Sequence, residues 1–189
     1  MSSLDVRLAR PRDREAVLVL LLAQLDEHGI ATPPAAIACA LDGLMADAQR
    51  GAVLVATVDG RVAGIAALSA MWTLEHGGPA MWLDELYVEP SQRGRGIGRA
   101  LLAAAGDAAR GRGARTLDLE VDAAHARAER LYAREGFRRL ERTRWVRWLE
   151  CDHDRVAGTV THAATGTPPR PGTPDSAGAG RRRSSRRDP

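Results

Sequence analysis

The feature that most restricts the fold of this chain is a glycine-rich loop between a strand and a helix. The stretch reads ELYVEPSQRGRGIGRALL over residues 85–102. Its apolar pattern predicts a strand that ends at Val88, a turn at Pro90 and a helix over residues 98–110. Glycines let the backbone approach a ligand closely, and N–H groups at the start of a helix bind anions. Arg93, Arg95 and Arg99 add charge of the right sign, so the stretch predicts a site for a phosphate or a pyrophosphate.

Three kinds of phosphate loop can be compared with this stretch. A Walker loop requires Gly-Lys-Ser/Thr, and all 27 basic residues of the chain are arginine, which excludes a P-loop NTPase. A dinucleotide-binding loop requires G-x-G-x-x-G, and counting from Gly94 the third glycine position holds Arg99. The chain does contain R-x-x-G-x-G, with Arg93, Gly96 and Gly98 at the defining positions.

The excess positive charge lies at the other end of the chain. The formal net charge is +3, but residues 151–189 hold seven arginines and four aspartates, which leaves 20 basic and 20 acidic residues in 1–150. The terminal segment is rich in Pro, Gly, Ser and Thr and has no apolar periodicity. We therefore divide the chain into a folded domain, residues 1–150, and a disordered tail, residues 151–189. An anchor for nucleic acid or acidic partners is one interpretation of the tail, and a solvated tail is the favoured one.

Composition narrows the remaining classes of protein. Apolar residues make up 44% of the chain, which is enough for a hydrophobic core. No apolar run approaches the roughly 20 residues needed to cross a bilayer, and the polar start of the chain does not resemble a secretion signal. Cys39 and Cys151 are isolated thiols and form neither a disulfide framework nor a metal cluster. We expect a soluble, cytoplasmic protein with no membrane partner and no bound metal.

Hydrophobic patterning divides residues 1–150 into alternating strands and helices. Asp59-Gly60 lies between two apolar runs and predicts a hairpin, because a type I′ turn requires positive φ angles. The predicted strands are residues 4–8, 52–58, 61–70, 80–88, 116–121 and 144–149, and a short strand from Phe137 is left open. The predicted helices are residues 13 to about 29, 33–50, 98–110 and 123–135. This order predicts an α/β (α+β) fold with a mixed central sheet of six to seven strands and about four helices.

Two stretches carry a resemblance to a known family. VEPSQRGRGIGRALL resembles the acyl-CoA pyrophosphate loop of the GNAT superfamily of N-acetyltransferases. AERLYAREGF, residues 128–137, is similar to a later motif of that family, a helix with A-x-x-L-Y followed by a Gly-Phe turn. Between Gly98 and Tyr132 there is room for one helix, one strand and half of the next helix, as the family layout requires. The resemblance covers about residues 4–150 and implies the GNAT acyl-CoA acyltransferase fold.

The resemblance also implies a co-substrate, acetyl-CoA. The strand before the loop would contact the pantetheine arm through Leu86, Tyr87 and Val88, with the Val88 N–H polarising the thioester carbonyl. Main-chain N–H groups of the loop would bind the pyrophosphate. That loop consists of Arg93, Gly94, Arg95, Gly96, Ile97, Gly98 and Arg99.

The later motif contributes two further candidates for cofactor binding. Ala128 begins the motif, and His125 stands three residues before it, where the family often has an asparagine. An imidazole can still form one hydrogen bond with the pantetheine amide. His125 as a plain helix-start residue, after Asp122 as the N-cap, and His125 as a catalytic base are the alternatives.

Catalysis by direct transfer requires a base for the amine and a proton for the leaving thiolate. Tyr132 matches the tyrosine that commonly protonates the CoA sulfur in the family, and a tyrosine that only packs is the alternative. Glu85 is the preferred base, acting directly or through a water molecule, and binding of the amine's charge alone is the alternative. Strand alternation places Glu85 and Tyr87 on one face and Asp84 on the opposite one.

Two other groups of residues have more than one interpretation. His76 follows Glu75 in a glycine loop, where the pair could serve as metal ligands or as a base. Without further ligands at a suitable spacing, a substrate-gating loop is favoured. Four tryptophans could line an acceptor pocket, fill the core or form dimer contacts. They are Trp72, Trp82, Trp145 and Trp148.

The expected activity is therefore acyl transfer. The resemblance implies that the acetyl group moves from acetyl-CoA to a primary amine of a small molecule by direct attack in a ternary complex. Two alternatives stay open, an acetyltransferase of protein N-termini or lysines and a regulatory module that binds CoA without turnover. The sequence identifies neither the acceptor nor the oligomeric state, and a homodimer is among the expected assemblies.

Overall fold

The computed structural model of the protein describes residues 3–121, 125–147 and 149. This part of the chain contains five strands: β1 Leu4–Leu8, β2 Gly51–Val58, β3 Arg61–Thr73, β4 Gly78–Val88 and β5 Leu117–Leu119. It also contains four α-helices: α1 Arg14–Glu27, α2 Pro34–Ala46, α3 Ile97–Gly111 and α4 Ala126–Arg134. Short 3-10 helices at Pro11–Asp13 and Pro90–Gln92 precede α1 and the glycine loop. The predicted tail, residues 151–189, lies outside the described residues, so the division of the chain stays a prediction.

The five strands form one mixed sheet in chain order, β1-β2-β3-β4-β5. The first three pairings are antiparallel and the last, β4 with β5, is parallel, with α3 as the connection between these two strands. The predicted hairpin turn is present between β2 and β3. Asp59 has a φ angle of 51° and Gly60 one of 81°, both in the left-handed region that a type I′ turn requires.

Both faces of the sheet are covered by helices. On one face α3 buries an apolar stripe against β2, β3 and β4, and α4 packs beside it. On the other face α1 and α2 cover β2, β3 and β4. The first cluster includes Leu54, Leu68, Met81, Leu83, Ile97, Leu101 and Leu102. The second includes Val17, Leu20, Leu21, Leu41, Val53, Val55, Ile65 and Tyr87. Burial on both faces explains why β2 is apolar along almost its whole length.

A β-bulge in β4 changes the direction of its side chains. The pairing of β3 with β4 skips Asp84, which is therefore an extra residue on β4. Such a bulge reverses the alternation of faces. Leu83 before the bulge and Leu86 after it both contact the α3 cluster, whereas Tyr87 belongs to the α1 cluster. Glu85 contacts α1 as well, so Glu85 and Tyr87 share a face as the sequence predicted.

The prediction of a last strand over residues 144–149 is wrong for the five of these residues that the structure describes, 144–147 and 149. Residues 138–147 contain no helix or strand, so the described sheet has five strands instead of six or seven. Trp145 is 90% exposed, and Trp148 lies outside the described residues. The segment instead forms ion pairs beside the sheet, Arg142 with Glu75 of the β3–β4 loop and Arg144 with Glu120 just after β5, both at 2.6 Å. Its many arginines interrupt the apolar alternation, and the outer strand β5 has only three residues with which a further strand could pair.

The other differences are at element boundaries. α2 ends at Ala46, four residues before the predicted end, and β3 continues to Thr73. α4 begins at Ala126, with His125 at its N-cap position, and the predicted N-cap Asp122 lies outside the described residues. Among the described helices, none is both long and apolar enough to span a bilayer.

Candidate active site

The candidate site lies beside the second half of β4, beyond the end of β5. β5 pairs with β4 only at Met81, Trp82 and Leu83, whereas β3 remains paired with β4 as far as Val88. In the part of the chain that the structure describes, no strand pairs with β4 on its β5 side after the bulge at Asp84. Because β5 ends at Leu119, the edge of β4 on that side is unpaired after the bulge, and we call the space beside this edge the cleft.

The bulge also determines which backbone groups face this cleft. The Met81 N–H donates to Thr116 on the β5 side at 2.9 Å, whereas the Glu89 N–H donates to Ala63 on β3 at 2.9 Å. Without the extra residue these two N–H groups would point the same way, because strand backbone groups alternate direction. Val88 lies one position before Glu89, and Leu86 lies three positions before it. These two residues therefore turn their N–H and C=O groups away from β3 and toward the cleft. This is the orientation that the predicted pantetheine contacts require.

The glycine loop begins at the same end of β4. Gly94 and Gly96 both have a φ angle of 82°, which an L side chain rarely adopts. Gly96 is the N-cap of α3, and the first bond of that helix runs from the Ala100 N–H to its carbonyl at 3.0 Å. Among the described residues, the N–H groups of residues 94–99 donate no backbone hydrogen bond. A Cβ at Gly96 would meet no atom within 4 Å. The loop therefore presents a row of N–H groups at a helix N-terminus, which suits an anion.

The Arg93 side chain connects this loop to α1. Its two terminal nitrogens donate to the Glu27 carboxylate at 3.0 and 2.6 Å, and its Nε donates to the Val88 carbonyl at 2.9 Å. The guanidinium also lies over the Tyr87 ring, 5.2 Å from its centroid. The hydrogen bond with Arg93 lowers the pKa of Glu27 below its ordinary value. Arg93 can thus contribute its main chain to the loop while its side chain holds α1 against the end of β4.

The other two loop arginines also have partners. Arg95 donates to the side chain of Gln92, and Arg99 pairs with Glu135 at 2.8 Å. Their side chains, which the sequence predicts to add charge at the phosphate site, are therefore engaged with the protein beside the loop, and the contribution of their main-chain N–H groups stays a prediction.

A guanidinium that the sequence analysis missed lies near the loop. Arg127, exposed on the first turn of α4, has its Nη2 3.8 Å from the position that a Gly94 Cβ would occupy. Its position in the sequence, between His125 and the A-x-x-L-Y motif, does not distinguish it from the other arginines of this helix. Only the packing of α4 against the start of α3 brings it to the loop.

Tyr132 lies on the inner side of α4. It packs against the α3 cluster, and its ring centroid is 5.8 Å from that of Phe137. Leu131, the residue before it, would be 3.7 Å from a Cβ at Gly98, so α4 contacts the beginning of α3. Burial, and secondly the negative charge of Glu85, raises the pKa of the Tyr132 hydroxyl. The phenol therefore keeps its proton at neutral pH and can act as a proton donor.

His125 and Ala128 lie at the start of α4. The His125 ring stacks against that of His28 at the end of α1, with 4.8 Å between centroids. The Ala128 N–H donates to the His125 carbonyl at 2.8 Å, as the first hydrogen bond of the helix. Both residues therefore border the region between α1 and α4, and their predicted contacts with a cofactor stay predictions.

Glu85 is the strongest candidate for a base. It is partly buried on β4, and burial, followed by the charge of Asp84, raises its pKa from 4.5 to about 7. The side chain of Gln24 on α1 donates to its Oε2 at 2.5 Å. A carboxyl group with a pKa near neutrality accepts a proton efficiently at the pH where most enzymes work. Sequence reasoning did not identify Gln24, which is separated from Glu85 by 61 residues along the chain.

The remaining candidates lie elsewhere. His76 is in the loop between β3 and β4, at the opposite end of β4 from Val88, with its Nε2 3.1 Å from Asp118 Oδ2. Glu75 pairs with Arg142. Among residues 3–121, 125–147 and 149, no three His, Cys, Asp or Glu side chains are grouped as metal ligands. Of the tryptophans, Trp72 and Trp145 are exposed, and the Trp82 ring lies 5.3 Å beneath the Arg144 guanidinium.

The structure thus combines a mixed α/β fold, an unpaired edge of β4 beside a glycine loop, and two ionisable side chains with raised pKa values. The chain belongs to the acetyltransferase (GNAT) family, whose model matches residues 21–137. This range contains β4, the glycine loop and Tyr132.

Individual relatives are similar over part of the chain. Streptothricin acetyltransferase of Streptomyces lavendulae is 39% identical over 92 residues, which cover 48% of this chain and 46% of that protein. Aminoalkylphosphonate N-acetyltransferase of Salmonella typhimurium is 36% identical over 80 residues, 42% of this chain and 52% of that protein. The chain thus spans about half the length of these curated relatives. The fold is also that of the aminoglycoside N-acetyltransferase AAC(6')-Iy solved with CoA, with a TM-score of 0.68, 24% identity, and coverage of 78% of this chain and 96% of that one.

Proposed function

We propose that the protein is an acyltransferase that transfers the acetyl group of acetyl-CoA to a primary amine of a small molecule, by direct attack in a ternary complex. One observation carries the proposal above all others. The cleft-facing backbone of β4 begins next to an anion-binding loop and lies beside a carboxyl group with a pKa of about 7. An acyl donor with a phosphate end and an amine that must lose a proton need these two features side by side.

This arrangement would accommodate two parts of acetyl-CoA, the pyrophosphate and the pantetheine arm. The pyrophosphate would bind the N–H groups of residues 94–99 at the N-terminus of α3, with Arg127 adding positive charge. The pantetheine arm would lie along β4 and exchange hydrogen bonds with Leu86 and Val88. His125 and Ala128 would line the same arm from α4. Support comes from the family match and from the CoA complex of a protein with the same fold.

The chemistry can then be written with a place for each proton. Glu85 accepts a proton from the ammonium form of the acceptor, directly or through a water molecule, and the neutral nitrogen attacks the thioester carbon. The Val88 N–H donates to the oxygen that becomes negatively charged. When the C–S bond breaks, the electron pair goes to sulfur, and Tyr132 donates its proton to the thiolate. The nitrogen became positively charged when it attacked, and its extra proton passes through water to the Tyr132 phenolate, while Glu85 releases its proton to solvent. The products are the acetylated amine and CoA.

The class of acceptor is argued from the relatives. Two of them are named for acetylation of streptothricin and of aminoalkylphosphonates, and both of these acceptors are small molecules that carry an amine. A small amine is therefore the acceptor that the similarities favour, over a protein N-terminus or a lysine side chain.

The test is a thiol-release assay with acetyl-CoA and a library of amines that includes streptothricin, aminomethylphosphonate, aminoglycosides and short peptides. We expect CoA release with at least one small amine and an acetylated product by mass spectrometry. Release with peptides alone would instead identify a protein acetyltransferase. Binding of acetyl-CoA without release for any acceptor would identify a binding module and contradict the proposal.

A further inference from the structure

Gln24 is a polar residue in a part of α1 that otherwise packs through apolar side chains. It is 4% exposed, and its neighbours Leu20, Leu21 and Leu25 are buried as well. A buried carboxamide is costly unless its polar atoms form hydrogen bonds. A carboxamide among these leucines therefore indicates a role for its polar atoms in addition to packing.

The hydrogen bonds of this carboxamide are only half satisfied. Its Nε2 donates to Glu85 Oε2 at 2.5 Å. An ionised carboxylate can only accept, so the amide nitrogen is the atom that must face it. The amide oxygen, Oε1, is buried and has no hydrogen-bond partner among the described residues. A buried amide oxygen without a donor is uncommon in folded proteins, and this one belongs to the side chain that contacts the candidate base.

We propose that Gln24 is an acceptor-binding residue, whose Oε1 accepts a hydrogen bond from the nitrogen of the incoming amine while Glu85 removes its proton. This inference rests on the proposed function, in which Glu85 is the base. An ammonium group carries several N–H donors, so one can face Glu85 and a second can face Gln24. After Glu85 takes the first proton, the second N–H remains bonded to Gln24 and restrains the neutral amine beside the thioester.

The same geometry selects the acceptor atom. A hydroxyl group has one donor, which must be given to the base if the oxygen is to attack. The Gln24 oxygen would then remain without a partner, and leaving one buried acceptor unsatisfied corresponds to a rate loss of about 5- to 150-fold. Gln24 therefore favours nitrogen over oxygen as the acceptor, in addition to the difference in intrinsic nucleophilicity.

The experiment uses methylamine as the probe, because it carries the ammonium group and almost nothing else. We would measure kcat and KM for methylamine at saturating acetyl-CoA in the wild type and in Gln24→Met, which keeps the side-chain length and removes both polar atoms. Gln49→Met, at an exposed position, is the matched control. The titration of the Glu85 carboxyl carbon by NMR is a second readout. Asp84 and Tyr132 also act electrostatically with Glu85 and are unchanged in both variants.

In Gln24→Met we expect kcat/KM for methylamine to fall about 5- to 150-fold, mainly through KM. We also expect an unchanged dissociation constant for acetyl-CoA and a higher Glu85 pKa, because the carboxylate has lost a donor. Gln49→Met should match the wild type. Wild-type values of both kcat/KM and the Glu85 titration in Gln24→Met would overturn the proposal. If Gln24→Met does not fold, Gln24→Asn, which withdraws the same carboxamide by one methylene, should show the same loss.

The failure of the proposed function would look different. If the wild type binds acetyl-CoA but acetylates no amine, the acetyltransferase proposal fails, and Gln24 is then judged by binding alone. Methylammonium added to the wild type should shift the Glu85 titration, since a cation beside the carboxylate lowers its pKa. The shift should be lost in Gln24→Met, and an equal shift in both proteins would refute the role of Gln24.

Discussion

Replacing Glu85 by glutamine should remove activity and at the same time stabilise the fold at alkaline pH. The pKa of Glu85 is raised from 4.5 to about 7, chiefly by burial. The folded protein therefore holds a proton between these two values that the unfolded chain has lost. The contribution of Glu85 to the stability of the wild type is therefore largest below pH 4.5 and is lost as the pH rises through 7, because folding then buries a charged carboxylate.

The size of this effect follows from the pKa rise. A rise of this size corresponds to roughly 3 kcal/mol for a fully buried group. Glu85 is only partly buried, so solvent screening reduces the expected effect to about 2 kcal/mol. Glutamine has nearly the same shape and cannot ionise, and it can still hydrogen-bond with Gln24. The measured quantity is the free energy of unfolding of Glu85→Gln minus that of the wild type. This difference should therefore be about 2 kcal/mol larger at pH 8.5 than at pH 4.5.

Urea unfolding at these two pH values measures the difference directly. Taking the difference between pH values cancels any constant change in packing caused by the substitution. Glu141→Gln, at an exposed position, is the control and should show no such pH dependence. A gain for Glu85→Gln that is the same at both pH values would refute the reasoning, because Glu85 would then be no more costly to ionise in the folded protein than in the unfolded chain.

Three further changes test other parts of the site. Tyr132→Phe should lower kcat about 100-fold and leave acetyl-CoA binding unchanged, because only the proton donor is lost; equal losses in both would mean that the tyrosine is structural. Arg127→Gln should weaken acetyl-CoA binding by about 5-fold in calorimetry, through loss of a charge-assisted contact, whereas Arg130→Gln on the same helix should not. A chain that ends after Glu150 should acetylate small amines at the wild-type rate, and a large loss would mean that the tail takes part in catalysis.

Local signals in the sequence were sufficient to predict most of the helices and strands of the fold. Strand β1 has the predicted bounds, and the Asp59-Gly60 turn adopts the positive φ angles that the hairpin requires. The α3 helix begins within one residue of its prediction, because glycines with left-handed φ angles cannot belong to the helix that follows them. These features depend on residues that are neighbours in the chain, which is why one sequence predicts them.

The wrong prediction and the features that were not predicted depend on contacts between residues that are far apart in the chain. The strand over residues 144–149 was predicted from apolar residues alone, but Trp145 is exposed and the neighbouring arginines pair with carboxylates just outside the strands. The bulge at Asp84 has no marker in the sequence, although it turns the Val88 N–H toward the cleft. Gln24 and Arg127 reach the site only because α1 and α4 pack on either side of β4.

Every step of the proposed reaction depends on acetyl-CoA binding at the cleft beside β4, and one titration tests this most directly. Gly96→Trp places a bulky side chain in the anion-binding loop. Gly113→Trp is its matched control, since Gly113 also has a left-handed φ angle, 70° against 82°, and no atom within 4 Å of a Cβ position. In calorimetry with acetyl-CoA we predict binding to the wild type and to Gly113→Trp and its loss in Gly96→Trp. Unchanged binding to Gly96→Trp, or none to the wild type, would contradict the assignment of the cleft.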